Sequence, residues 1–486
     1  MTNHLISREA IFSTIKDIIL LDDGTSHFVP VIGRGGTGKT MLFNQIQEYF
    51  DSHADQYPHV LVINYDYRDL KSQSLAGTLY SNVVRMLAHD ETLFKKEDVE
   101  QFFNLLLTAP ADIDGMIGLT MTGLQSLIEK GIRLVLLEDT IEVINAPSEF
   151  ISNTFLIGSF LPNCVAIVAG RPEDSTSGHL DVINTTLANN DWVTHPALEL
   201  NAFTLEETKS YLNSHFDGTF SEARLEKIHL LTDGSPIHLA IVTEVLKSNA
   251  DLDILKLDMQ DLKRQLEVDR SGLLSRFEYD LLTKISSLGA SIDWTVLYLA
   301  YLNRRYDRQI VKALIGGTDQ EVKALEDRFK SLLYLRKSSL PSRQSREMLH
   351  DEIQRMINSL VWERIDFMKE HRRAITHRII DAFYLPEMQR CKTLLAELET
   401  EQMDRDRLIR YLDSSFTLAE LQNECLDYLL RIDVLRGKAY FEQLAEEVNQ
   451  SKYPNFNRLL LHDGVKNLSL SRFMPADEIE KAIYGQ

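Results

Sequence analysis

The chain has 486 residues, 44% apolar and 26% charged, with 72 acids against 52 bases and a formal net charge of -20. Such a length holds roughly two to four domains with a real core, and the acidic balance argues against a generic phosphate-backbone binder, whose footprint is a basic face. Cys164, Cys391 and Cys425 are too few and too scattered for a disulfide framework or a Cys-rich zinc site.

No apolar run is long enough to span a bilayer, and the start Met1-Thr2-Asn3-His4 lacks a signal pattern. A cytoplasmic protein with no membrane segment is the expectation. The acid surplus is uneven: residues 1–250 hold about 16 bases and about 33 acids, while residues 251–486 are nearly balanced. This asymmetry places a boundary near 250.

In chain order, His27–Ile32 is a short apolar run ending in a Gly cluster, followed by a helical stretch from Met41 to Phe50. Strand candidates follow at Val60–Tyr65, Ile132–Leu137, Cys164–Ala169 and Ala197–Leu200, with a helical pattern over Leu75–Leu87 after the first of these. Continuous apolar strands between helices predict a three-layer α/β fold with a parallel sheet covered on both faces. From Asn201 helical periodicity takes over, first in Thr204–Ser214 and Ser221–Asn249, then across Glu267–Asp381, with a short β segment near Leu335–Leu340. The C-terminal region reads as helical hairpins: Ile375–Phe383, Gln389–Glu401, Arg405–Leu412, Leu418–Ile432 and Tyr440–Val448. Trp362 and Phe367 read as helix-packing core, and the runs Phe94–Asp98 and Arg364–Arg378 as solvated charged faces.

The strongest chemical signal is Gly33-Arg34-Gly35-Gly36-Thr37-Gly38-Lys39-Thr40, a G-x-x-x-x-G-K-[ST] loop between a strand and a helix. Glycines let successive backbone N–H groups wrap an anion, and the following helix, which includes Met41, directs its positive end at the same phosphates. Lys39 would neutralise the outer phosphates and the Thr40 hydroxyl would ligate Mg²⁺. An apolar strand ending in Glu138-Asp139 would hold that metal and polarise a water, in either order of the two acids. That assignment expects the strand to lie next to the loop-bearing one. Arg171, in Ala169-Gly170-Arg171-Pro172 at another strand end, could reach a γ-phosphate.

Together these elements resemble the STAND class of P-loop ATPases, relatives of NB-ARC and AAA+ proteins. Ser7-Arg8-Glu9 is similar to the Gly-Arg-Glu box that precedes the phosphate loop in that class, with Ser7 in place of Gly. Leu198–Glu207 resembles the entry to the helical lid, and Leu231–Ala240, containing Gly234-Ser235-Pro236, resembles the lid's Gly-x-Pro motif. Gly234 can end one helix and Pro236 start the next, making a rigid corner. Leu273–Gln354 looks like the winged-helix domain of the class, closing on Met348-Leu349-His350-Asp351, similar to its Met-His-Asp motif.

The resemblance implies an α/β P-loop NTPase domain over residues 1–201, a helical lid over 202–266, a winged-helix domain over 267–360 and a C-terminal all-α region over 361–486. It further implies ATP or ADP as ligand, with Arg8, Pro236 and His350 near the nucleotide. The expected function is a slowly hydrolysing, Mg²⁺-dependent switch with a protein partner on the C-terminal helices and nucleotide-dependent self-assembly. Two alternatives stand beside it. One is an AAA+ initiator-like ATPase that binds DNA through its winged helix, against which the candidate recognition stretch Glu321–Leu333 mixes acids with bases. The other is a nucleotide-holding scaffold.

Overall fold

A computed structural model describes residues 8–21, 23–66, 128–129, 131–143, 163–172, 174–189, 191–216, 220–248, 252–285, 294–302, 306, 308–330, 335–337, 347–399, 405–451, 457–458, 460–461, 465 and 474–484. The predicted helix over Leu75–Leu87 and the charged run Phe94–Asp98 lie outside these residues. The chain divides into two compact units, both discontinuous in sequence.

One unit comprises Ser13–Ile32, Phe43–Leu198 and Ile380–Gln486. It contains the parallel sheet: β1 (His27–Ile32), β2 (Val60–Asp66), β3 (Arg133–Asp139), β4 (Cys164–Gly170) and β5 (Val193–Thr194), in the spatial order β2-β3-β4-β1-β5. Every residue of β3 and β4 is buried, which is why these strands read as unbroken apolar runs rather than alternating ones. The fifth predicted strand is only β6 (Leu198–Glu199); the unpredicted Val193–Thr194 pairs with β1 as well.

The expectation that the Glu138-Asp139 strand neighbours the loop-bearing strand is overturned, because β4 lies between β1 and β3. All four long strands are parallel, with Ile32 opposite Gly170 and Glu138 opposite Val168. The carboxyl ends of β1, β3 and β4 therefore still share one edge of the sheet. This parallel sheet, with flanking helices and the phosphate-loop sequence leaving the carboxyl end of β1, is the fold of a P-loop NTPase.

The same unit holds α14 to α17 of the helical region: α14 (Leu385–Leu398), α15 (Arg405–Ile432), α16 (Val434–Asn449) and α17 (Ala476–Tyr484). Leu426, Leu430, Phe441, Leu444 and Ile483 form part of a core shared by α15, α16 and α17. A Cβ on Gly437 would stand 2.7 Å from the Leu430 side chain, so glycine lets α15 and α16 pack closely here. Two predicted helices, Arg405–Leu412 and Leu418–Ile432, are one continuous helix here. The intervening Ser414 and Ser415, polar residues of middling helix propensity, are buried inside it, so packing outweighs local preference.

The other unit comprises Met1–Phe12, Gly33–Leu42 and Glu199–Ile379. Between the phosphate loop and the helical segments it carries the start of α2 (Lys39–Ser52), then α4 (Leu205–Phe216), α5 (Glu222–Thr232) and α6 (Pro236–Lys247). The single predicted helix Ser221–Asn249 is two helices. Asp233 takes the left-handed conformation at φ 50° as the cap of α5, Gly234 follows at φ 64°, and Pro236 opens α6, giving the corner expected of Gly-x-Pro. Next comes α7 (Met259–Ile285), broken at Asp269, whose carboxylate accepts the Gly272 N–H at 2.9 Å and so caps a second helix.

Then α8 (Trp294–Leu302), α9 (Arg308–Ile315) and α10 (Asp319–Lys330) precede an antiparallel pair, β7 (Leu335–Lys337) and β8 (Glu347–Leu349). Three helices followed by a two-stranded hairpin are a winged-helix arrangement. α11 (Asp351–Met356) begins at His350 and continues through a π-helical stretch to Trp362. α12 (Glu363–Ile365) and α13 (Glu370–Ile379) complete the unit. The remaining numbered helices are α3 (Asp174–Ala188), in the sheet unit, and α1 (Glu9–Ile19), whose first residues through Phe12 are assigned to the second unit and the rest to the sheet unit.

Candidate functional site

The phosphate loop is built by local chemistry. Gly36 and Gly38 sit at φ 77° and 96°, dihedrals that L side chains rarely adopt, so consecutive amides can turn toward one centre. The Thr37 hydroxyl donates to the Arg34 carbonyl at 2.8 Å, and the Lys39 ammonium donates to the carbonyls of Gly33 at 2.5 Å and Arg34 at 3.1 Å. Lys39 thus spans its own loop and fixes the curvature. A Cβ on Gly33 would stand 2.7 Å from the Leu200 carbonyl, which explains the first glycine of the motif. Thr40 is half-buried in the first turn of α2, Gly35 is half-buried in the loop, and Met41 is exposed.

Arg8 braces this loop from the N-terminal side. Its Nη2 donates to the Thr37 carbonyl at 2.8 Å and to the Asn201 carbonyl at 2.7 Å, and its guanidinium lies 6.0 Å from the centre of the Phe203 ring. The residue is 4% exposed and, among the described residues, has no salt-bridge partner. Burial pulls its pKa down from the ordinary arginine value, partly offset by the charge of Glu207. Glu207 itself accepts the Thr204 N–H at 2.7 Å, closing a capping box at the start of α4. A buried cation whose described hydrogen bonds go to carbonyl oxygens, with no salt bridge, leaves positive charge beside the loop, and an anion is what would balance it.

The lid motifs meet the loop directly. The Phe203 N–H donates to the Gly234 carbonyl at 2.8 Å, and a Cβ on Gly234 would lie 2.0 Å from the Phe203 carbonyl, so lid entry and Gly-x-Pro corner are packed together. A Cβ on Gly36 would lie 2.3 Å from Ile237 Cγ2 and 3.8 Å from His350 Cε1. Ile237 follows Pro236, and His350 caps α11 with its Nδ1 accepting the Glu352 N–H at 3.3 Å. Accepting at Nδ1 assigns the proton of the neutral ring to Nε2. Arg8, the phosphate loop, the Pro236 corner and His350, scattered from residue 8 to residue 350 of the sequence, are thereby gathered at one place.

Ile237, Asn201 and Phe203 were not singled out as contacts by the sequence. Nor was Asp233, which pairs with Arg34 of the loop at 3.5 Å and Arg270 of α7 at 3.0 Å. An apolar residue directly after the proline of a Gly-x-Pro corner is the signal that could have found Ile237.

In the sheet unit, Glu138 and Asp139 close β3 at 0% and 2% exposure. Thr140, immediately after them, is buried at φ 66°, a conformation a β-branched residue adopts only under constraint. The negative charge of Glu138, after burial itself, helps push the Cys164 thiol up to about 12. Arg171 does not project freely from β4: its Nε donates to Glu142 Oε1 at 2.9 Å.

Hard carboxylate and hydroxyl oxygens suit Mg²⁺, which usually keeps several waters and takes further ligands from phosphates. Among the described residues no group of three or more His, Cys, Asp or Glu could hold a metal. Oxygens of that kind are carried by Glu138 and Asp139 in the sheet unit and by Thr40 in the other unit. The three cysteines are free and buried, and no described helix is long and apolar enough to cross a membrane.

No protein-family model matches the chain, and no curated protein does. Among solved structures, the chain is similar to the Aeropyrum pernix ORC2 protein (ADPNP-ADP complexes), at 12% identity over 74% of this chain and 95% of that one, with a TM-score of 0.35. It is also similar to the Aeropyrum pernix ORC1 protein in complex with DNA, at 11% identity over 74% and 92%, with a TM-score of 0.36. A third similarity is to Drosophila ORC bound to DNA, at 12% identity over 73% and 87%, with a TM-score of 0.30.

Proposed function

We propose that this chain is an ATP-binding P-loop NTPase in which nucleotide at the phosphate loop governs closure of the lid and of the winged-helix segment. The observation that carries the reading is the approach of Ile237 and His350 to Gly36. Ligand in the loop would sense both segments at once, and both would sense the ligand. In this reading Gly33, Gly35, Gly36, Thr37 and Gly38 present amides to the phosphates, Lys39 and the buried Arg8 supply positive charge, and Pro236 and His350 face the nucleotide.

Thr40 with Glu138 and Asp139 would hold Mg²⁺, and one of the two acids would orient an attacking water; Arg171 would act only after leaving Glu142. The functional segments are then residues 1–201, 202–266, 267–360 and 361–486. A switch moves its equilibrium only through differential affinity for its two states. ATP and ADP should therefore differ in affinity, and hydrolysis should be slow. Single-turnover hydrolysis by the wild type and by Glu138→Gln and Asp139→Asn tests the assignment: loss of turnover with retained ATP binding supports it, and equal turnover in all three contradicts it.

The hairpin of β7 and β8 behind three helices favours a second reading, an AAA+ initiator-like ATPase that docks this winged helix on DNA. Salt-sensitive duplex binding at physiological ionic strength would establish it. Absence of a shift would leave the nucleotide switch alone.

A further inference from the structure

Two contacts close on Gly36 from separate helices: Ile237, the second residue of α6, and His350, the cap of α11. A second, polar connection joins the same two helix starts. His238, the next residue of α6, places Nε2 3.2 Å from Glu278 Oε1 of α7, and the two side chains are only 16% and 21% exposed. Glu278 also acts on Arg355 of α11: hydrogen bonding to Glu352 raises the Arg355 pKa most, burial opposes it, and the charge of Glu278 adds to the rise. Arg355 Nε donates to Glu352 Oε1 at 3.1 Å, and the Glu352 N–H is the one that His350 caps. α7 packs against both α6 and α11, and all these residues belong to the same compact unit as the phosphate loop.

The proton inventory shows what the central pair is for. An ionised carboxylate only accepts, so His238 Nε2 donates to Glu278 and the neutral ring has a bare Nδ1. That Nδ1 is buried and, among the described residues, has no hydrogen-bond partner. Apolar side chains of similar size would join two helices without withdrawing an imidazole and a carboxylate from water. What the pair adds is direction, because a hydrogen bond restricts distance and angle where apolar contacts slide. The Arg355 side chain is 56% exposed, so its attraction to Glu278 is screened and His238 makes the stronger of the two links.

We propose that Glu278 is a positioning residue of the nucleotide site, fixing the starts of α6 and α11 to one another through His238 and Arg355 so that Ile237 and His350 close over Gly36 as one body. Its role toward nucleotide rests on the function proposed above; the link between the two helices does not. The lid corner and the winged-helix segment then respond to the loop together.

Hydrogen–deuterium exchange of the full-length chain without nucleotide, together with ADP titration, tests this in Glu278→Ala, His238→Leu and His238→Gln. The Leu239 and Gln354 amides, bonded to the Ser235 carbonyl at 2.9 Å and the His350 carbonyl at 3.0 Å, report on the starts of α6 and α11. Glu278→Ala and His238→Leu should each speed exchange at both amides, and weaken ADP binding, by about tenfold. His238→Gln keeps a donor for Glu278 and should return both readouts toward wild type, which a loss of packing alone would not do. His238→Leu keeps an apolar side chain in place and carries the test if Glu278→Ala fails to fold. Faster exchange confined to one of the two helices would overturn the proposal, as would unchanged ADP affinity in both variants of a chain whose wild type binds ADP. A wild type that binds no ADP, but whose variants show the paired change in exchange, would support the link and overturn the nucleotide reading alone.

Discussion

Two buried arginines in the same unit teach opposite lessons. Arg372, at the α12–α13 turn, is enclosed by Asp366 and Glu363, so its charge is neutralised where it stands. Arg8, beside the phosphate loop, is also buried, but among the described residues its hydrogen bonds go to the carbonyls of Thr37 and Asn201 and it forms no salt bridge. A desolvated charge with carboxylate partners is part of the scaffold, and losing one partner strands the other. A desolvated charge without them is a standing demand for an anion. The difference separates structure from function more sharply than burial or residue type does.

The comparison can be broken at either end. Asp366→Ala removes the main partner of a buried guanidinium and should cost about 3–5 kcal/mol of stability, read as a large fall in melting temperature. Gly36→Ala forces a methyl to within 2.3 Å of Ile237 Cγ2 on a backbone at φ 77° and should cost about 2 kcal/mol. Ile237→Ala in the same chain should recover part of that loss, and strict additivity in the double-mutant cycle would show that the contact is absent.

Arg8→Met should cost less than about 1 kcal/mol of stability, because an uncompensated buried charge is replaced by an apolar side chain, yet weaken nucleotide binding about tenfold. Equal destabilisation by Arg8→Met and Asp366→Ala would erase the contrast between the two sites.

The smallest effect is on pH dependence. Burial works to raise the Asp366 pKa, but hydrogen bonds from the Arg372 and His371 amides and the Arg372 guanidinium outweigh it, so the group sits below its ordinary value of 3.8. A carboxylate depressed in the folded state contributes stability that is present above its unfolded pKa and is lost as pH falls through the folded one. The resistance of the wild type to urea should therefore fall below about pH 4, and Asp366→Asn should flatten that acid limb.

Much of this was legible in local sequence. The phosphate loop and the Gly234–Pro236 corner are set by the dihedral needs of glycine and proline, which act over a few residues, and both lie where their motifs place them. Strand order is a long-range property, so the insertion of β4 between β1 and β3 left no trace in the pattern of either strand. Phe367 reads as core by residue type and is exposed, whereas Arg372 reads as solvated and is buried. Both reversals come from one ion pair formed across a turn, which apolar periodicity does not report. The break in α7 at Asp269 had a usable cue, an Asp cap placed three residues before Gly272. The gathering of Arg8, Ile237 and His350 around Gly36 joins segments hundreds of residues apart, and only the motif order of a resembling class hinted at it.

The most direct test of the central claim is calorimetric titration of ATP and of ADP into the nucleotide-stripped wild type and Lys39→Ala, in the presence of Mg²⁺. Saturable one-site binding by the wild type, with different affinities for ATP and ADP and a loss of at least about 100-fold in Lys39→Ala, is the predicted result. Wild-type affinity in Lys39→Ala, or no binding of either nucleotide to the wild type, would contradict it.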